Sequence, residues 1–150
     1  MLHVVLYQPE IPPNTGNIAR LCAGTQSKLH LIGPMGFTID DKQLKRAGLD
    51  YWPLVNLQFY KSFTEFLSSF PHIDRLWYLS SKVQRPYTQA QFTDGDAFMF
   101  GPETKGLPAE ILTQHPERCL TIPMKGAIRS LNLSSAAAVV VYEAIRQIGI

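Results

Sequence analysis

Ile122-Pro123-Met124-Lys125-Gly126-Ala127-Ile128-Arg129-Ser130-Leu131-Asn132-Leu133-Ser134-Ser135, running directly into Ala136-Ala137-Ala138, decides how this chain is read. A short apolar run, residues 119–123, precedes it and is bounded by a proline, as a buried strand is. Small residues follow it in succession, so the helix expected over 131–147 can pack very close to another backbone or to a ligand. Between strand and helix, Ser130, Asn132 and Ser134 offer short hydrogen-bonding groups. They suit the polar cap of a close-packed helix, and equally a binding loop. A strand, a polar loop and a helix in that order form half of a βαβ unit.

The same grammar runs through the rest of the chain. Residues 2–7, 28–33, 75–79 and 96–100 also read as short buried strands, rich in β-branched or aromatic residues. Helices are expected near 14–23, 40–47, 62–69 and 108–113, with Asn14, Asp40 and Ser62 as N-caps. Ser62 has Glu65 three residues on, in capping-box spacing. Strands alternating with helices predict an α/β fold with a mainly parallel sheet flanked by helices. In such sheets ligands gather at the loops leaving the carboxyl ends of the strands.

Two more strand-to-helix loops stand out. The first is Gln8-Pro9-Glu10-Ile11-Pro12-Pro13-Asn14-Thr15-Gly16-Asn17-Ile18-Ala19-Arg20. A helix starting at Asn14 puts Asn17 and Arg20 on one face, with Arg20 beside the partly positive helix terminus, a place for phosphate. A capped surface helix with an exposed arginine reads equally well. The second is Phe100-Gly101-Pro102-Glu103-Thr104-Lys105-Gly106-Leu107-Pro108, where the glycines let backbone approach a ligand. It has neither the Rossmann glycine spacing nor a Walker A ending. Glu103, a carboxylate in a tight loop, calls for a partner.

Composition bounds the function. The 150 residues fit one domain, read from end to end as 1–150 with no added binding domain. Charged residues are 17% of the chain, against about a quarter in typical proteins, which suits a surface partly covered by a second subunit. A net charge of +2 permits an anionic partner without demanding one. Cys22 and Cys119 have neither CxxC spacing nor a nearby histidine pair, so no metal site or disulfide framework is expected, and the setting is a reducing, cytoplasmic one. His3, His30, His72 and His115 are scattered and read as structural, and Cys22 as a packing residue. The N-terminus lacks a basic signal-peptide region, and the apolar run 136–142 is far shorter than the ~20 residues that span a bilayer, so no membrane association is expected.

Taken together, Asn14-Thr15-Gly16-Asn17 with Arg20, the segment from Phe100 to Gly106, and Ile122-Pro123-Met124 through Arg129 to Ser134 resemble the three motifs of the SpoU branch of the SPOUT superfamily of RNA methyltransferases. The resemblance covers essentially the whole chain. The segments from Leu6 to Pro12 and from Gly48 to Trp52 narrow it to the small TrmL (YibK-like) tRNA methyltransferases of that branch. It implies an α/β knot, in which the C-terminal segment threads a loop to make a deep trefoil, a rare topology. It implies S-adenosylmethionine as methyl donor, with Leu79, Gly101, Ile122 and Ser130 lining its pocket. It implies a homodimer whose site draws on both subunits, and as substrate the wobble nucleotide, position 34, in the anticodon loop of leucine tRNAs.

Methyl transfer from a sulfonium is an in-line displacement of an activated donor, so the protein must chiefly align the reactants. No Ser-His-Asp or Cys-His set is evident, and none is required. The resemblance makes Arg20 the central catalytic residue. Arginine is not deprotonated in proteins, so its expected task is to grip the phosphate beside the target ribose and stabilise charge developing on the oxygen. Asn17 and Ser134 are expected to orient Arg20 or the ribose, and Glu103 to fix the loop or Arg20. Tyr142 shares a helix face with Ser134 at i+4 steps and reads as a site residue or as a packing residue. Lys42, Lys45, Arg46, Lys82, Arg85, Lys105, Lys125 and Arg129 are the cations available for RNA phosphates. The alternatives are ribose methylation at another tRNA position or on rRNA, a non-catalytic module binding the donor or RNA, and a purely structural dimer.

Overall fold

Val4, Val5 and Leu6 are all buried and give the first strand, β1 (His3–Tyr7), two apolar faces, so it must lie inside a sheet covered on both sides. In the computed structural model, which describes residues 1–38, 42, 46 and 52–149, β1 does occupy such a position. The sheet has six strands in the order β3-β2-β1-β5-β4-β6, and every pairing is parallel. Its strands are β1, β2 (Lys28–Ile32), β3 (Asn56–Tyr60), β4 (Leu76–Leu79), β5 (Ala97–Phe100) and β6 (Cys119–Leu120). Among the described residues, α-helices with both ends placed are α1 (Pro12–Thr25), α2 (Phe63–Ser69), α3 (Ala109–Leu112) and α4 (Leu133–Ile148), and Lys42 and Arg46 are also helical. This is the α/β architecture that the alternating pattern predicts.

Strand alternation sorts the core into two layers. On one face Val4, Leu6, Leu29, Leu31, Phe98 and Phe100 meet Ile18 and Cys22 of α1 and Ala137, Val140, Val141 and Ala144 of α4. On the other, Val5, Ile32, Tyr78 and Met99 meet Phe66 of α2 and Ile111 and Leu112 of α3. The small residues at the start of α4 let it lie against α1 as well as the sheet.

Several expectations need correction or comment. α1 begins at Pro12, not Asn14, and its N-cap is Ile11, whose side chain makes no capping bond. Two prolines fit the first turn because their missing N–H groups would have had no helical partner there. The strand expected over 119–123 pairs only at Cys119–Leu120 and then at an isolated bridge between Pro86 and Thr121. β3, an edge strand, was not expected at all. The helix expected over 40–47, with its Asp40 cap, falls largely on residues outside the described set. Ser62 caps α2 as expected, accepting from the Glu65 backbone N–H at 3.1 Å, while the Glu65 carboxylate accepts from the Lys61 N–H. The last helix starts at Leu133, capped by Asn132.

Candidate active site

The strand order reverses direction between β1 and β5. The chain steps outward through β2 and β3 on one side, then fills β4, β5 and β6 on the other. Loops that leave neighbouring strands at such a switch point diverge and open a crevice. Here the crevice is a cavity of about 1120 Å³ at the carboxyl ends of the strands. It is lined by the loops after β4 (Leu79 to Val83), β5 (Phe100 to Gly106) and β6 (Thr121 to Leu133), with Ile11 and Asn14 at the start of α1. That volume exceeds the roughly 300–1,000 Å³ of a site for one small molecule.

The β5 loop is shaped by its glycines. A Cβ on Gly101 would stand 2.3 Å from the backbone carbon of Gly106 and 2.3 Å from the nitrogen of Leu107, so only glycine fits. Gly106 has φ +68° and donates its N–H to the Pro102 carbonyl at 2.8 Å, closing the turn. The loop thus folds back on itself, with Gly101 and Gly106 on the cavity wall.

Glu103 projects from this turn to the start of α1. Its carboxylate accepts from the backbone N–H of Glu10 at 2.8 Å, the N–H of Ile11 at 2.9 Å and the side-chain amide of Asn14 at 3.2 Å. A distant carboxylate therefore does what the uncapped helix lacks locally, satisfying free N–H groups and facing the positive end of the helix. The arrangement is reciprocal. The Glu10 carboxylate accepts from the Thr104 N–H at 3.0 Å and its hydroxyl at 2.8 Å, and these bonds hold the Glu10 carboxyl below its ordinary range.

On the third loop, Asn132 caps α4 by accepting from both the N–H and the hydroxyl of Ser134, at 2.9 and 2.6 Å. Ser134 is thereby engaged in the cap, while Asn132, Leu133 and Ala136 line the cavity. The Lys82 ammonium reaches over from the β4 loop to the Leu107 carbonyl at 3.2 Å. With Lys105 and Arg129 it gives the cavity three cationic side chains against the single carboxylate of Glu103, whose charge already meets three N–H donors.

All four residues expected at the donor pocket, Leu79, Gly101, Ile122 and Ser130, line this cavity together with Glu103. Asn17 and Arg20 are exposed on α1, and neither is among the described residues lining it. With α1 starting at Pro12, Arg20 lies about 12 Å along the helix, beyond the first turn where the helix dipole acts, so the helix terminus adds nothing to an anion site at Arg20. Tyr142 stands elsewhere, 53% exposed, in a second cavity at the amino ends of the strands with Met1, Leu54, Ile148 and Cys22. Burial pushes the Cys22 thiol up to about 12, which removes it as a nucleophile. Arg85 is tied to the carbonyls of Glu117 and Gln89, and Lys45 lies outside the described residues. Among the described residues, no three His, Cys, Asp or Glu side chains come together as a metal site. Sequence reasoning missed Asn14 as a cavity residue, the Glu10–Thr104 bonds and the β4 loop beyond Leu79. The signal for the last was Ser80-Ser81-Lys82 directly after a buried strand.

Residues 1–142 match the SpoU rRNA Methylase family. The chain belongs to that family. This SpoU methylase is 52% identical over 150 residues to the tRNA (cytidine(34)-2′-O)-methyltransferase of Escherichia coli strain K12, covering 99% of this chain and 95% of that protein. A solved structure described as giving insight into 2′-OH methylation of C/U34 on tRNA superposes with a TM-score of 0.91 at 48% identity, over 98% of this chain and 95% of that one. The SpoU methyltransferase AviRb from Streptomyces viridochromogenes, solved with the cofactor AdoMet, has a TM-score of 0.86 at 24% identity and covers 98% of this chain and 57% of its own; it shares the fold. The SpoU methylase is a methyltransferase, and its cavity lies where an α/β sheet of this order binds ligands.

Proposed function

We propose that this SpoU methylase transfers a methyl group from S-adenosylmethionine to the ribose 2′-hydroxyl of the wobble nucleotide, position 34, of leucine tRNAs. The observation that carries the reading is the convergence of the three motif loops on one cavity, with Leu79, Gly101, Ile122 and Ser130 on its wall. The 52% identity over nearly the full length of a relative named for cytidine 34 supports the nucleotide. The glycines of the β5 loop leave space at the wall for a donor to approach closely, and the excess volume leaves room for part of an acceptor nucleotide.

When bound, S-adenosylmethionine supplies an activated methyl group on sulfur. The chain's own residues then have to bind, orient and neutralise. Lys82, Lys105 and Arg129 set a positive field at the cavity that suits RNA phosphates. Arg20, extending from α1, grips the phosphate beside the target ribose and stabilises charge on its oxygen, with Asn17 one turn earlier on the same helix face. Asn132 and Ser134 set the entry of α4 behind the third loop. Glu103 holds α1 in place through N–H groups.

The protein works in this reading as a cytoplasmic homodimer of single-domain chains, with the C-terminal segment threaded as the family's trefoil knot. Leu54, Tyr142 and Ile148, respectively 73, 53 and 37% exposed, border the second cavity and supply an apolar face for the partner copy. Among the described residues no helix is long and apolar enough to cross a membrane.

Labelled S-adenosylmethionine and total tRNA, followed by nucleoside mapping, test the reaction. The expected product is a 2′-O-methylated nucleotide at position 34, and label on a base would contradict the reading. Arg20→Ala is expected to abolish transfer while calorimetry shows the donor still binding. Full activity of that variant at saturating donor would remove Arg20 from its role.

A further inference from the structure

Glu10 belongs to none of the motif positions that carry the proposed chemistry, yet it is held from three sides. Its backbone N–H donates to Glu103 and its carboxylate accepts twice from Thr104, so the loops after β1 and β5 grip each other through two carboxylates pointing in opposite directions. On the third side the loop after β2 closes in. A Cβ on Gly36 would stand 3.4 Å from the Glu10 Cα and 3.4 Å from its carbonyl oxygen, and the Gly36 N–H donates to the Pro9 carbonyl at 3.2 Å. The Glu10 backbone is therefore packed between two loops, directly ahead of the helix that carries Asn14, Asn17 and Arg20.

The two halves of the grip have different duties. Glu103 satisfies N–H groups at the start of α1, which a helix without a side-chain cap needs for its own stability. Glu10 satisfies no group of its own helix. Both its bonds go to Thr104, on the turn between Gly101 and Gly106 that walls the cavity. What Glu10 fixes is the distance between the acceptor-side helix and the donor-side turn. In a displacement that depends on collinear oxygen, carbon and sulfur, the rate is sensitive to such spacing, since a misplacement of about 1 Å can cost ~100-fold.

We infer that Glu10, through its paired bonds to Thr104, is a positioning residue for methyl transfer, locking the Arg20-bearing helix to the donor-binding turn. The inference rests on the proposed transfer from S-adenosylmethionine to a ribose hydroxyl. It assigns Glu10 no contact with either reactant and no proton. Because Thr104 gives both an N–H and a hydroxyl, removal of the hydroxyl alone weakens the lock, and a serine at that position keeps it.

The test compares Glu10→Ala, Thr104→Val, the double variant and Thr104→Ser with the unmodified protein in three measurements. Steady-state methyl transfer to tRNA is expected to show kcat lowered about 10- to 100-fold in Glu10→Ala and less in Thr104→Val. KM and the calorimetric Kd for S-adenosylmethionine are expected to stay within threefold. Thr104→Ser restores kcat, and the double variant is no worse than Glu10→Ala, as one shared interaction requires. Hydrogen exchange, read without substrate, is expected to speed up at the amides of Ile11 and of residues 14–17 in Glu10→Ala. Unchanged kcat, a loss explained wholly by weaker donor binding, additive losses, or unchanged exchange would each overturn the role of Glu10. If the unmodified protein transfers no methyl group, the proposed reaction fails instead, and the exchange measurement alone decides whether the lock exists.

Discussion

Gly101 is where one methyl group decides whether the site can form. With its would-be Cβ 2.3 Å from two backbone atoms of Gly106 and Leu107, an alanine cannot be accommodated by a rotamer change; the turn itself must open. Opening it moves Thr104 and Glu103, and with them the bonds to Glu10, Ile11 and Asn14. Gly101→Ala is therefore expected to cost about 1–3 kcal/mol of stability, the usual range for overpacking, and to weaken S-adenosylmethionine binding at least tenfold. Thermal unfolding and calorimetry read the two effects, and a variant that binds donor normally would show that the close approach is incidental. At this scale the sequence announced the residue type but not the partner. A carboxylate between two glycines points to a task, and Glu103 has one. That the task is to cap α1 from ninety residues away depends on β1 and β5 being neighbours, which no local pattern encodes. Asn14 shows the same limit in reverse, because its capping propensity was real but the two prolines before it already served as a helix start.

Among the elements, those with apolar residues on both faces were legible and those at the margins were not. β1, β2, β4 and β5 are central or nearly so and read as apolar runs, unbroken in β4 and β5 and interrupted only by His3, Lys28 and His30 in β1 and β2. β3 has the sequence Asn-Leu-Gln-Phe-Tyr, pairs on one side only, and is exposed at three of its five positions. Edge strands carry polar residues to discourage further pairing, and that hides them in a hydrophobicity scan. Helix ends depend on single residues too. α1 closes with Gln26 in the left-handed region at φ 54°, ψ 40°, its N–H returning to the Cys22 carbonyl. Glycine is the residue that tolerates that conformation at little cost, and Gln26 is exposed with no packing to lose. Gln26→Gly is expected to stabilise the protein by about 0.5–1 kcal/mol, read from chemical denaturation midpoints. A lower midpoint would mean that the glutamine side chain makes a compensating contact at that end of the helix.

Across the whole molecule, the half-buried His3 and the buried His30 couple fold to pH. His3 on β1, His30 on β2 and Tyr60 on β3 form one chain across half the sheet, with His3 Nδ1 2.9 Å from His30 Nε2 and His30 Nδ1 2.8 Å from the Tyr60 hydroxyl. Phe66 and Phe70 of the second core layer pack edge-on against the His30 ring. Burial, then the charges of neighbouring Lys28 and the N-terminus, pushes His3 down to about 4, with His72 acting in the same direction and Asp94 against it. Burial first, then His3 and Lys28, pushes His30 down to about 3. In the unfolded chain both titrate near 6.5, so between pH 6.5 and 4 the unfolded state binds more protons than the folded one. Stability due to these groups is then complete above about pH 7 and is lost as the pH falls, with a slope approaching ~1.4 kcal/mol per pH unit for each histidine. Carboxylates contribute mainly below about pH 4.5, which leaves pH 4.5–6.5 as the diagnostic window. Denaturation curves collected across it are expected to steepen toward acid in the unmodified protein and to flatten in His30→Gln, whose neutral side chain cannot titrate. Equal slopes in the two proteins would mean that the acid limb comes from elsewhere, and that this chain of rings is held by packing with its protons irrelevant.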